Sequence, residues 1–234
     1  MPDRRFHHDV EDLVERVVRM ARLSRRSVHE GVEAFAALDV EAARRVIALN
    51  QDINRADVEI EARSLDLIAL HQPMAVDLRT LGASLKAITY LDRIGRYGYD
   101  IAKATLALEG KTHVRKLVGT RSDSEGAPGT AVPASIPIMR DKALHLLDEA
   151  VEAFRTRDAA RARKVQPGDD EVDALYEQIF RECITYMLED PRNIAQCTQY
   201  VLVARHLERV GDNAGKIAEK AIYMATGERR LETA

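Results

Sequence analysis

Residues 91–104 read LDRIGRYGYDIAKA, and residues 207–220 read LERVGDNAGKIAEK. The two stretches hold one register, with Asp92 returning as Glu208 after 208 − 92 = 116 residues. A second acidic pair keeps the same offset: Asp57 and Glu61 return as Asp173 and Glu177, since 173 − 57 = 116. Acidic segments that repeat in register over half a chain mark an internal duplication. The repeated residues are carboxylates inside an apolar pattern, and that placement asks for a chemical reason.

Working outward from these stretches, the apolar residues recur at helical spacing. Val10, Val14, Val17, Ala21, Ser24, Val28, Gly31, Phe35 and Leu38 alternate steps of three and four, the seam of a long bundle helix. A second helix starts after the N-cap candidate Asp39 and runs to about His71. Pro73 suits the first turn of a third helix, where its missing N–H costs nothing. Leu78, Leu81, Leu85 and Ile88 lead that helix into Asp92, Gly95, Tyr99 and Ala102. Residues 119–135, GTRSDSEGAPGTAVPAS, read as a linker. The pattern then restarts, with VEAF of 32–35 returning at 151–154 and Asp158 following as Asp39 does. QPGDD (166–170) breaks the chain before a fifth helix to about Glu189, and Asp190-Pro191 opens a sixth. The expected fold is therefore all-α: six long helices as two tandem, pseudo-symmetric three-helix bundles, 1–118 and 136–234, with no β-strand.

Composition narrows the function. At 46% hydrophobic and 31% charged residues, the 234-residue chain is globular rather than disordered. A net charge of −3 gives no basic surplus for binding nucleic acid. No stretch approaches the roughly 18 apolar residues of a membrane span, and no cationic start followed by an apolar run suggests a secretory signal. Cys183 and Cys197, without a C-x-x-C, read as buried thiols of a reducing cytosol. The expectation is a cytoplasmic protein that meets a membrane only through partners.

The carboxylates carry the chemistry. Asp92 and Glu208 stand at stripe positions where Leu or Ile is expected, as do Asp57 and Asp173 on the second and fifth helices. An unpaired buried carboxylate is costly and tends to take up a proton. Residues four apart share a helix face, so Glu208 points with Asp212, and Asp173 with Glu177. Acidic residues at this spacing usually mark a solvated face; duplication and stripe placement favour a cation among them, either arginine or metal. No basic residue occupies the middle of the second-half motif, which favours metal there. All-carboxylate ligation selects hard ions such as iron, manganese, magnesium or calcium. The flanking Gly95 and Gly211 let helices approach closely at that level. In the first half Arg96 replaces the acid, four residues from both Asp92 and Asp100, and an ion-pair network around it is expected.

Other residues offer less. His7-His8 reads as an unstructured terminal doublet, and His206 faces away from Glu208. No Glu-x-x-His pair of a di-iron oxidase is present, nor a G-x-x-x-x-G-K or G-x-S-x-G motif.

QPMAVDLR (72–79), LDRIGRYGYDIAK (91–103), YMLEDPRNI (186–194) and LERVGDNAGKIAE (207–219) together closely resemble the PhoU family of phosphate-signalling regulators. The resemblance spans roughly residues 10–227. It implies two similar three-helix bundles and E(D)xxxD motifs that hold metal ions, of the iron, zinc or manganese class. Carried over by position, the second-half ligands are Asp173, Glu177, Glu208 and Asp212. In the first half Asp57, Glu61 and Asp92 match and Arg96 departs from the pattern; Asp100, four residues from Arg96, completes the first-half set. The resemblance further implies a non-enzymatic negative regulator of phosphate uptake and starvation signalling, often a homodimer. Its implied partners are the ATPase subunit of the phosphate ABC transporter and a membrane sensor histidine kinase. Two alternatives stand beside it: a carboxylate-bridged metalloenzyme in a helical bundle, and a metal-free scaffold whose carboxylates are satisfied by Arg205 or Arg209 turned inward.

Overall fold

The computed structural model describes residues 4–109 and 133–228, and among them every regular element is helical. In order these are α1 (Arg4–Ala37), α2 (Val40–His71), α3 (Ala75–Leu108), α4 (Ser135–Thr156), the single-turn α5 (Ala159–Ala162), α6 (Gln166–Glu189) and α7 (Ile194–Thr226). Six are long, as expected. Most of the 119–135 linker lies outside the described residues, and Ser135 already belongs to α4.

Local chemistry sets the helix starts. Leu38 and Arg157 adopt left-handed φ values of 52° and 54°, and an aspartate follows each. Asp39 accepts from the Ala42 N–H at 2.9 Å, and Asp158 from the Arg161 N–H at 2.9 Å. Both satisfy an orphan donor of the first turn, the work of an N-cap. Asp190 does the same for the 3₁₀ turn Pro191–Asn193 that leads into α7. Three expectations need correction. Pro73 lies outside α3, whose N-cap is Met74. QPGDD is not a break but the first turn of α6, with Pro167 where its missing N–H is harmless. His7-His8 is helical, inside α1.

The break precedes that turn, and a deletion accounts for it. The repeat offset is 151 − 32 = 119 at VEAF but 116 at Asp173, so the second half is three residues shorter between them. Three residues are about five-sixths of a helical turn. A continuous helix would rotate its apolar face off the core, and the chain instead separates α5 from α6 over Arg163–Val165.

Each half is a three-helix set, α1–α3 and α4 with α6–α7, and the sets share one core. Low-numbered residues of α3 meet high-numbered residues of α7: Arg79 lies against Gly227, Tyr90 against Lys220 and Tyr97 against His206. The two helices therefore run antiparallel across a pseudo-twofold seam. α1 and α4 cross the same seam, where Arg25 Nε bonds Asp148 at 2.9 Å and the buried Arg140 pairs with Glu33. Phe35 and Tyr200, both fully buried, meet edge to face at 5.9 Å. Burying side chains of this size is worth about 1.5–3 kcal/mol each.

Within the first half α1 and α3 approach closely. Ser24 Oγ donates to the Leu91 carbonyl at 2.8 Å and Ser27 Oγ to the Gly95 carbonyl at 3.1 Å. A Cβ on Gly98 would stand 2.4 Å from the Ser27 carbonyl carbon. Cys183 and Cys197 are free, buried thiols, as expected, and burial pushes Cys183 up to about 12.

Candidate carboxylate site

α6 and α7 form an antiparallel hairpin whose register decides which carboxylates meet. Near its turn, Asn193 Nδ2 donates to the Tyr186 carbonyl at 3.1 Å. One turn deeper the two cysteine thiols touch, and further along the Arg205 guanidinium lies 5.6 Å over the Tyr176 ring. Continuing that register brings Asp169 opposite Asp212, and Asp173 opposite Glu208.

These four residues form the acidic cluster of the second half. Asp169 is raised to about 6, first by burial and then by Asp212, Asp173, Asp170 and Glu208. Burial also raises Asp173, reinforced by Asp212 and Asp170 and opposed by Arg205. Glu208 is raised by burial against the pull of Arg205. Asp169 Oδ1 is buried and has no hydrogen-bond partner. The sequence reading missed Asp169, although a signal was present. It lies 116 residues after Ile53, so a carboxylate replaces a core isoleucine.

The glycines confirm that equivalence. A Cβ on Gly95 would meet Ile53 Cδ1 at 2.6 Å, and a Cβ on Gly211 would meet Asp169 Oδ1 at 2.5 Å. The close approach expected at both glycines is present, with an alkyl group in one half and a carboxylate in the other. Glu177, by contrast, points outward and pairs with Arg181 at 3.7 Å, both well exposed. It contributes nothing to the charge felt by Asp169 or Asp173.

Arginine supplies part of the countercharge. Arg205 Nη1 donates to Glu208 Oε1 at 2.9 Å, and Arg209 Nη1 to Asp212 Oδ2 at 3.1 Å. Arg205 also lies 2.9 Å from Glu208 Oε2. That contact is an ion pair, and no hydrogen bond reaches the buried Oε2. Among the described residues no three His, Cys, Asp or Glu donors already stand at metal-binding spacing. The donor set nonetheless fits a hard cation. It is all oxygen, it includes the buried, unpartnered Asp169 Oδ1, and a cleft of about 160 Å³ opens beside Asp169 and Asp212. Gathering it around an ion requires Glu208 and Asp212 to turn from their arginines.

The first half is different. Burial raises Asp57, reinforced by Asp92 and Glu61, so these three are neighbours. With its amide turned to donate, Asn54 lies 3.1 Å from Asp92 Oδ1. The expected network around Arg96 is absent among the described residues. Arg96 is exposed and its guanidinium lies 5.4 Å over the Tyr99 ring, a contact that needs no desolvation of the charge. Asp100 stands apart from the other three, where its charge acts on His206 across the seam. His206 stacks on Tyr97 at 5.7 Å and takes no part in the cluster.

Comparison with known proteins bears on these features. A family model described as the PhoU domain matches residues 17–105 and again residues 136–221. A curated relative from Rhizobium meliloti, the phosphate-specific transport system accessory protein PhoU homolog, is 33% identical over 222 residues, covering 95% of this chain and 87% of that one. A relative of the same name from Caulobacter vibrioides is 36% identical over 223 residues, 95% of this chain and 90% of its own. The crystal structure of PhoU from Pseudomonas aeruginosa superposes with a TM-score of 0.83 at 29% identity, covering 95% of this chain and all of that one. The phosphate transport system regulatory protein PhoU from Streptococcus pneumoniae superposes at 0.82 with 26% identity, over 97% and 99% of the two chains.

Proposed function

Since this chain belongs to the PhoU family, we propose that it regulates phosphate uptake and phosphate-starvation signalling by binding proteins rather than by turnover. It acts as a negative regulator that links the ATPase subunit of a phosphate ABC transporter to a membrane sensor histidine kinase. The observation that carries this reading is the double match of the family model. Both three-helix sets are retained, and the relatives covering nearly the whole chain are named accessory proteins of phosphate-specific transport. No helix among the described residues is long and apolar enough to cross a membrane, which agrees with a regulator that reaches the membrane through partners in the cytoplasm.

A hard metal ion bound by Asp169, Asp173, Glu208 and Asp212 belongs to the same proposal. The ion would supply the positive charge that the cluster lacks. The protein's part is to hold three of these carboxyls together in a partly buried cluster where burial and mutual repulsion raise them above their ordinary values, a cost that an added cation would relieve. Asp57, Glu61 and Asp92 form a weaker set in which Asn54 already engages one ligand. A second reading, a metal-free scaffold, is favoured by the Arg205–Glu208 and Arg209–Asp212 pairs.

One experiment tests both parts. Metal content is measured after purification without chelator, for the wild type and for Glu208→Ala combined with Asp212→Ala, alongside binding to the purified transporter ATPase subunit and sensor kinase. Metal in the wild type and not in the double variant supports the site. Metal-free wild type selects the scaffold, and failure to bind either protein overturns the regulator.

A further inference from the structure

Arg96, which stands where the repeated motif has an acid, belongs to a larger pattern on α3. The exposed residues between Thr80 and Leu108 are Lys86, Thr89, Arg93, Arg96, Lys103 and Ala107, four cations and no acid. At 3.6 residues per turn the four cations fall within about 100° of arc on one helix face. They run over 103 − 86 = 17 residues, about 25 Å of helix. None of the four stands in an ion pair among the described residues. Arg96 and Lys103 each lie 5.4 Å from the centre of the Tyr99 ring, a contact that orders both side chains without neutralising either.

The fold does not ask for these charges. The duplicate helix α7 carries Leu202, Arg209, Asp212 and Glu219 at the same positions, 116 residues on. Its one cation there is paired, Arg209 with Asp212 at 3.1 Å. Cations three apart on a helix, as Arg93 and Arg96 are, repel each other. Four unpaired cations in a chain of net charge −3 form a patch of a single sign. Such a patch steers and selects a partner of the opposite sign.

The borders of the stripe narrow the occupant. A second copy meeting α3 across a twofold axis would set cation against cation. Asp92, beside Arg93, groups with Asp57 and Glu61 on the α2 side, and Asp100 acts on His206 on the α7 side. A uniform polyanion, whether nucleic acid or an anionic bilayer, is broad enough to meet these carboxylates as well. A protein helix is narrower and can set its acids over the cations alone. The cation spacing i, i+7, i+10, i+17 reads the same in both directions, so a helix of the same period matches it parallel or antiparallel.

We propose that the exposed face of α3 receives an acidic helix of a partner protein, with Asp or Glu at the spacing of Lys86, Arg93, Arg96 and Lys103. This rests on the reading of the chain as a regulator that acts by binding, and gives that activity a surface.

The test uses the full chain and a labelled helical peptide of about five turns, built on alanine and glutamine. The peptide carries glutamate at i, i+7, i+10 and i+17; a second peptide has lysine there. Anisotropy is expected to show binding of the glutamate peptide only, weakening as salt rises from about 50 to about 300 mM. The stripe variant Arg93→Gln, Arg96→Gln, Lys103→Gln weakens it about tenfold. A control variant, Arg22→Gln, Arg45→Gln, Lys164→Gln, removes the same charge from exposed positions outside α3 and keeps the wild-type affinity. All six side chains are exposed, so both variants keep the wild-type melting curve. No binding of the glutamate peptide, equal binding of the two peptides, or equal weakening in the two variants each overturns the proposal. Tighter binding to vesicles of about 30% phosphatidylserine in phosphatidylcholine, abolished in the stripe variant, overturns it in favour of lipid. A wild-type dimer that the stripe variant dissociates overturns it in favour of a second copy. The transporter ATPase subunit and the sensor kinase separate the two levels of inference. Peptide binding without binding of either protein sinks the regulator and leaves the surface, whereas binding of those proteins unchanged in the stripe variant sinks the surface alone.

Discussion

Replacing Asp169 with asparagine removes one charge from the acidic cluster and leaves the side-chain shape nearly unchanged. Asp169 titrates at about 6 in the folded protein, against 3.8 in the unfolded chain. That gap corresponds to about 3 kcal/mol without screening. The carboxyl is only half-buried, so solvent reduces the figure to roughly 1–2 kcal/mol. The sign follows from proton linkage. Because the folded state raises the value, folding favours the protonated carboxyl, and ionising it above about pH 6 destabilises the fold. Below about pH 4 the group is protonated in both states and the cost vanishes. Metal-free Asp169→Asn is therefore more stable than the wild type at pH 7 by roughly 1–2 kcal/mol, and equal to it near pH 4. At about 2–4 °C per kcal/mol for a chain of this size, the gain is roughly 2–8 °C in Tm at neutral pH. Thermal melts in chelator at the two pH values read it directly. If the proposed metal site holds manganese, a hundredfold excess over its Kd is expected to add about 2.7 kcal/mol to the wild type, and less to the variant. A variant that melts below the wild type in chelator at pH 7, by the same margin as at pH 4, refutes the reasoning.

Other perturbations reach the fold and the first half. Gly98→Ala forces a methyl group against the Ser27 backbone, 2.4 Å away, and is expected to cost about 3 kcal/mol in urea unfolding, since neither backbone can yield without separating α1 from α3. Asp39→Ala removes the N-cap bond to Ala42 and should cost about 1 kcal/mol, with Asp39→Asn restoring most of it. Arg96→Ala loses only an exposed contact with Tyr99 and should leave the unfolding free energy in urea within about 0.5 kcal/mol of the wild type; a larger loss would reinstate the ion-pair network that is absent among the described residues.

Much of the fold was legible in the residues. The helices follow from apolar spacing, their starts from Asp39, Asp158 and Asp190, and the two halves from the repeated register. Side-chain bonding within one turn is local, so it can be read from neighbouring letters. The deletion between VEAF and Asp173 was equally visible as a change of offset, but its result, the separate α5, required knowing which face α6 must bury.

For the candidate site the residue types were legible and their grouping was not. That carboxylates of both halves would gather beside Gly95 and Gly211 followed from their spacing. Which ones gather did not, because Asp173 has an acidic residue four away on each side, Asp169 and Glu177. On an isolated helix the two are equivalent. Packing separates them: the crossing of α6 over α7 places Asp169 against Gly211 and leaves Glu177 in solvent with Arg181. Arg96 posed the same problem, for its long side chain reaches Asp92, Asp100 or Tyr99 from one Cα, and only the surroundings select among them. By itself the sequence determined an all-helical, duplicated chain with acidic pairs at equivalent levels, because those properties depend on residues within a turn or two of each other. The tertiary structure alone decided which carboxylates meet, which arginines answer them and which cations stay unpaired, because each depends on the register between helices distant along the chain.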